Sequence, residues 1–417
     1  MDAGGLDVKR DWGKRRGPIL LLLIAAGLLC LLPACSGRFS PCDAAGRSAA
    51  EQAGIVEDPA AGRWYYGTGG QMDASFTGFA QNDRGWWYVD SGLVDFRRTG
   101  VVEGVLDGVR AKWYVLGGRA LTEYSGLTRS FDSCPALMLE KGIVDEHFTG
   151  MEQNEEGWWY LSDGMPDPRS QALVAGSVAG VDALWYVRQG KVQLGWNGYA
   201  SLGEETFLIE GGHTAPGRSG IFPDSGRFLY VVDGKVDTAY RGAQLYDGAK
   251  WILIGGRAKK VTSDADRMLY NAMLLADEIT DASMGPEEKL QVCFDYVTHC
   301  RTTTSRSPHM TSPGWTEVYA ADILEGEGGN CCSFAATFAY LAKAIGFDEV
   351  YALNSGGHGW AEVNGLIYDP ERAKATSEVS FYAVPYERFP AYMRTRDHAA
   401  LEGREWMRVK IVCEDLE

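Results

Sequence analysis

An aromatic or apolar residue followed four positions later by glycine recurs nine times, at Tyr66, Tyr88, Tyr114, Met138, Tyr160, Tyr186, Leu208, Tyr230 and Ile252 with Gly70, Gly92, Gly118, Gly142, Gly164, Gly190, Gly212, Gly234 and Gly256. Successive anchors are 22 to 26 residues apart, and a second glycine stands twelve after the anchor in seven units, at Gly78, Gly100, Gly126, Gly150, Gly198, Gly220 and Gly242. Self-similarity at this period restricts the chain to a stack of small supersecondary units, each burying its apolar face against the next. In Leu229 to Val236, apolar and aromatic residues flank Asp233-Gly234, the signature of a two-residue type I′ turn that needs positive φ at both central positions. Gly211-Gly212 and Gly255-Gly256 suit the same turn. The pattern predicts one β-hairpin per unit, and because a lone hairpin is marginal in water, an all-β hairpin-repeat solenoid over residues 61–262. Composition agrees: residues 62–256 hold 33 of the 52 glycines and nine of the 13 tryptophans. With only 15 prolines in the chain, the glycine surplus is neither collagenous nor a Pro/Gly-rich linker.

The Trp-Tyr pair, the turn glycine and the second Thr-Gly or Ser-Gly resemble the bacterial cell-wall-binding repeats of the choline- and glucan-binding type, over about Trp64 to Ala258. The resemblance implies a surface protein and a cell-wall glycan as partner. Two roles stay open for Trp87, Trp113, Trp159, Trp185 and Trp251: a packing ladder inside the solenoid, or an aromatic groove for a glycan using stacking and cation–π contacts.

Five basic residues, Lys9, Arg10, Lys14, Arg15 and Arg16, precede an apolar run from Ile19 to Leu32, short for a membrane span and suited to a secretory h-region. The ending Leu32-Pro33-Ala34-Cys35 resembles a bacterial lipoprotein signal, which implies lipidation of Cys35 and membrane attachment. A cleaved signal without lipid, a retained anchor and a buried helix are the other readings of the run. Residues 1–35 are thus assigned to a lipoprotein-type signal and 36–60 to a linker, placing the remainder outside the cytoplasmic membrane and anchored at the cell surface. A net charge of −16 leaves no electrostatic footprint for nucleic acid.

Beyond Lys260 the pattern changes. Ser263 to Thr280 and Pro286 to Cys300 read as amphipathic helices, with Met268, Leu269, Met273 and Leu274, then Leu290, Phe294 and Val297, at helical spacing. Residues 263–417 are expected to make one domain. Within it, Asn330 is a natural N-cap, Cys331 stands at the first helical position and Gly346 is a natural stop. A thiol at a helix N-terminus feels the positive end of the dipole, which favours the nucleophilic thiolate. Downstream, His358 to Asp369 reads as a hairpin on Asn364-Gly365. That register sets Trp360 opposite Asp369 and His358 diagonal to it on the same face, within side-chain reach. Asp369 is then placed to hold the tautomer of a His358 base.

Gly329-Asn330-Cys331, His358-Gly359-Trp360 and Asp369-Pro370 together resemble the transglutaminase-like domains of the papain-type cysteine superfamily. The resemblance spans about residues 265–417 and implies an α+β papain-like fold, Cys331 as nucleophile, His358 as acid/base, Asp369 as orienter and a thioester intermediate. Adjacent helical residues point about 100° apart, so only one of Cys331 and Cys332 can face the histidine, and the family pattern assigns that place to Cys331. Trp315 is read either as part of a substrate channel or transition-state stabilisation, or as packing. His147, His213, His299, His309 and His398 lack paired ligand spacing, and no zinc or EF-hand pattern appears; neither metal nor cofactor is expected.

The expectation is a multi-domain, surface-anchored cysteine enzyme, transglutaminase-like, that acts on amides of a protein, a peptide or a peptidoglycan-derived substrate, by hydrolysis or by transfer to an amine. The alternative is a non-catalytic adhesin that binds the cell envelope through its aromatic repeats.

Overall fold

The computed structural model describes residues 53–131, 134–304, 306–307, 312–376 and 379–416. The signal segment, Cys35 and His309 lie outside the described residues. Among those described, no helix is long and apolar enough to cross a membrane. They fall into two compact units. The first, residues 53–77 with 90–94, is a small antiparallel arrangement of Gly54–Asp58, Arg63–Thr68, Gln71–Met72 and Leu93–Val94.

The second unit holds the remaining repeats and the C-terminal region. From Gly150 to Lys260 its strands make one 15-stranded antiparallel sheet, and those between Gly78 and Val144 are likewise antiparallel. Repeats here can carry two turns rather than the one expected. In the eighth, Gly220–Asp224 pairs with Arg227–Val232 across Ser225-Gly226, and Asp233-Gly234 then returns the chain into the two-residue strand Lys235–Val236. That short strand reaches the previous repeat, where Lys235 pairs with Phe207. Sequence periodicity locates the second turn and not the longer hairpin, because the first turn has no constant composition: Asp107-Gly108, Ala179-Gly180 and Ser225-Gly226 all adopt it with positive φ.

All nine anchor-plus-four glycines lie in the left-handed region, with φ between +75° and +90°, and the residue before each also has positive φ. These are the expected type I′ turns. The constant spacing has a physical reason beyond turn geometry. The anchor N–H donates to the carbonyl of the next repeat's turn glycine, as in Tyr88 to Gly118 (2.8 Å), Tyr160 to Gly190 (2.8 Å) and Tyr230 to Gly256 (2.9 Å). The glycine thus closes its own turn and ties its repeat to the one before.

The five tryptophans divide: Trp87 and Trp159 are half-buried, with the Lys191 ammonium over the Trp159 ring. Trp113, Trp185 and Trp251 are buried, and edge contacts such as Trp185 with His213 and Trp251 with Phe228 cross between repeats.

The C-terminal region is α+β. Helices α1 (Asp264–Ile279) and α2 (Pro286–His299) occupy the two predicted amphipathic stretches. They are followed by α3 (Trp315–Leu324), α4 (Cys331–Ala344), α5 (Pro370–Ala375) and α6 (Pro390–Ala399). A four-stranded antiparallel sheet runs in the order Leu366–Tyr368, Gly359–Val363, Val350–Asn354, Arg408–Lys410. Every residue of α4 is buried, the mark of a central helix packed on all sides. The core around α4 also takes in Ile252 of the last repeat, with Ala243 and Ile254 against it. Lys259 and Asp266 form a largely buried ion pair at 2.8 Å across the junction. The last repeat therefore shares a core with the helices.

Candidate active site

Cys331 opens α4. Asn330 caps the helix, its side-chain oxygen accepting from the N–H of Cys332 (2.9 Å) and Ser333 (3.3 Å), while Asn330 Nδ2 donates to the Arg306 carbonyl at 2.8 Å. Ser333 Oγ donates to Asp322 Oδ2 at 2.7 Å, and Asp322 is paired with Arg306. The end of the helix that bears the thiol is thus fixed from two sides. Gly329 fits only because it lacks a side chain: a Cβ would stand 2.2 Å from Ser333 Cβ.

The expected hairpin forms, with Ala361 opposite Tyr368 and Val363 opposite Leu366 around Asn364-Gly365, both at positive φ. His358 immediately precedes the strand Gly359–Val363, and Asp369 follows Leu366–Tyr368 as the N-cap of α5. The diagonal contact is made at 2.6 Å between His358 Nε2 and Asp369 Oδ2. The other ring nitrogen is not used by Asp369, and Cys331 lies near enough for its charge to act on the imidazole. Asp369 is fully buried and also accepts from Tyr392 Oη (2.6 Å) and the Arg372 N–H (3.0 Å). The His358 side chain keeps 19% of its exposure, so the dyad can be reached from solvent.

Electrostatics follow from this placement. The Cys331 thiol is lowered to about 4, by a hydrogen bond from Cys332 first, against the cost of burial, and then by His358 and the Gly359 N–H. Cys332 is pushed up by its bond to Cys331 and by burial, which keeps it a thiol. Burial alone would lower His358, but Asp369 and Cys331 outweigh it and raise the imidazole to about 9. The pair is poised as thiolate and imidazolium at neutral pH, able to attack a carbonyl carbon and hand a proton to a leaving amine.

Gly359 sets the approach of the two elements. A Cβ there would lie 2.8 Å from Cys332 Cα and 3.2 Å from the Cys331 carbonyl. Trp360, next along, is buried and donates to Tyr386 Oη at 3.3 Å, and Tyr386 donates to the buried Glu362 at 2.9 Å.

Trp315 is brought to a different place. It is fully buried, and its indole N–H donates to the Trp406 carbonyl at 2.8 Å. Neither surface nor donor remains for a substrate channel, so the role here is packing. Tyr392, Arg372 and Glu371 join the site without being singled out by the sequence. Tyr392 arrives from α6, 23 residues beyond Asp369, and no spacing rule links them. The only signal for Glu371 is that it is a carboxylate two residues past the aspartate of the Asp-Pro motif.

His358, Asp369 and Glu371 each offer one atom within 4.8 Å of the others. Asp369 Oδ2 already serves His358 and Tyr392, so a metal bound there would have to dismantle that network.

Residues 75–95 match a family model described as a choline-binding repeat. Among solved structures the chain is similar to choline binding protein F from Streptococcus pneumoniae, at 18% identity and a TM-score of 0.21, over 47% of this chain and 70% of that one. No curated protein sequence matches the chain.

Proposed function

We propose that the C-terminal region is a cysteine acyl-transfer enzyme of the transglutaminase-like, papain-type kind, carried at the bacterial cell surface by its repeats and by a lipid on Cys35. The observation that carries this reading is the relay from Asp369 through His358 to a thiol at a helix N-terminus. The Cys331 thiolate attacks an amide carbonyl, the C–S bond forms, and the C–N bond breaks as His358 protonates the leaving amine. The N–H of Cys331, a first-turn donor with no intrahelical partner, is placed at the dipole's positive end to receive the developing oxyanion. Water or an amine then attacks the thioester, giving a proton to His358 and returning the thiolate.

The test is a burst of p-nitrophenol from p-nitrophenyl acetate by the whole chain. About one equivalent per chain, absent in Cys331→Ala and strongly slowed in His358→Ala, supports the enzyme; no burst in the parent protein sinks it. A second reading, an envelope-binding adhesin without catalysis, draws on the match of residues 75–95 to a choline-binding repeat. It expects retention on purified cell wall that free choline competes away, and a Cys331 no more reactive than the other thiols.

A further inference from the structure

The charges around the thiol cancel in pairs, with one exception. Thiolate Cys331 is balanced by imidazolium His358, and Asp369 by Arg372, whose Nε stands 3.8 Å from its carboxylate and whose guanidinium lies over the Tyr392 ring. Glu371 is left over. It sits half-buried in the first turn of α5, with a carboxylate oxygen within 4.8 Å of a His358 ring nitrogen and of an Asp369 oxygen. It has no hydrogen bond or ion pair among the described residues. The other cations of α5 are committed elsewhere: Arg372 to Asp369, and Lys374 to the Cys300 carbonyl and the face of Phe334. Burial first, then the Cys331 and Asp369 charges, push the Glu371 carboxyl up, while His358 and Arg372 pull it down. A carboxylate held partly out of water without a partner is costly, and its cost is relieved by a ligand of single positive charge.

From this geometry we infer that Glu371 is a specificity residue that holds a primary ammonium group beside the Cys331 acyl centre. The inference rests on the acyl-transfer reading above. Carboxylate and ammonium meet as a charge-assisted hydrogen bond, and the site with its ligand is then neutral. The ammonium can belong to the acyl donor, as an amine near the scissile amide, or to a diamine acceptor whose other, unprotonated amine attacks the thioester; either uses the same contact.

Two arms separate these sources. In the first, the whole chain is acylated with β-alanyl and 6-aminohexanoyl p-nitrophenyl esters beside propionyl and hexanoyl esters of equal length. An ammonium on the donor gives a cationic-to-neutral ratio of kcat/KM well above one that falls about tenfold or more in Glu371→Gln, recovers in part in Glu371→Asp, and inverts towards an anionic adipoyl ester in Glu371→Lys. In the second, the acetyl-enzyme is resolved with cadaverine or with neutral hydroxylamine. An ammonium on the acceptor gives a cadaverine-to-hydroxylamine rate ratio that responds to the same three variants in the same order. Because each readout is a ratio within one protein, a general loss of activity does not mimic the effect, and inversion in Glu371→Lys cannot come from misfolding. Ratios near one in both arms, or ratios that Glu371→Gln leaves in place, overturn the inference while the acetyl burst still stands. Loss of the burst in the parent chain is the separate failure of the acyl-transfer reading.

Discussion

Asp369 has no exposed surface and spends its carboxylate on His358, Tyr392 and the N–H of Arg372. An aspartate so engaged is fixed in direction, and through it the imidazole is fixed in tautomer, with Nε2 facing inward and Nδ1 left for the thiol. The lowered thiol and raised imidazole have a direct consequence for pH. As pH falls towards the Cys331 value of about 4 the thiolate is protonated, and as it rises through the His358 value of about 9 the imidazolium is lost. Between these limits the charged pair persists. Cys300, by contrast, is raised by burial despite Lys374 nearby. At pH 6, iodoacetamide is therefore expected to label Cys331 well ahead of Cys300, measured by peptide mass mapping, and His358→Ala should narrow the preference, leaving the part due to Cys332 and the Gly359 N–H. Turnover should decline above about pH 9, where the proton for the leaving amine is gone.

At the scale of elements, glycine positions do distinct jobs that can be told apart by substitution. Gly234 has φ of +79°, and a Cβ there would stand 2.6 Å from the Ala215 carbonyl of the preceding repeat; Gly226 has φ of +86° with nothing within 4 Å. Gly226→Ala should cost only the backbone strain, about 1–2 kcal/mol. Gly234→Ala should cost distinctly more, because it also pushes two repeats apart, and urea unfolding of the two variants reads the difference. Gly359→Ala tests another kind of contact. Its Cβ would force the histidine strand from α4, so the variant should keep its far-ultraviolet circular dichroism while the acetyl burst slows at least about tenfold, since small misplacements near reacting atoms are expensive.

What is legible in the sequence at this scale is what is local. The type I′ turns, the Asn330 cap, α1, α2 and the His358–Asp369 diagonal all arise from spacing within about a dozen residues. The first turn of each repeat is hidden because several dipeptides satisfy it. The place of Trp315 is hidden because the carbonyl that takes its N–H, that of Trp406, lies 91 residues away. Glu371 and Tyr392 gain meaning only from their neighbours in space.

At the scale of the whole second unit, the repeats and the helices are bound through a common interior. Ile252 is fully buried in the core around α4, and full burial of such a side chain is worth about 1.5–3 kcal/mol. The Lys259–Asp266 pair and the bond from Arg241 to the Lys343 carbonyl (3.3 Å) cross the same junction. A fragment of residues 263–417 is thus expected to unfold at least about 5 °C below the chain that begins at residue 53, measured by calorimetry. Equal midpoints would mean that the junction contributes nothing.

The forward hydrogen bond from each anchor to the next repeat's glycine also gives assembly a direction in time. Tyr66 donates to Gly92, Tyr88 to Gly118, Tyr114 to Gly142 and Leu208 to Gly234, so each of these donors precedes its acceptor by 26 to 30 residues. At about 5–20 residues per second of synthesis, a newly made repeat waits only seconds for its partner. One open rung travels along the nascent chain, and the last, from Tyr230, is closed when Gly256 emerges.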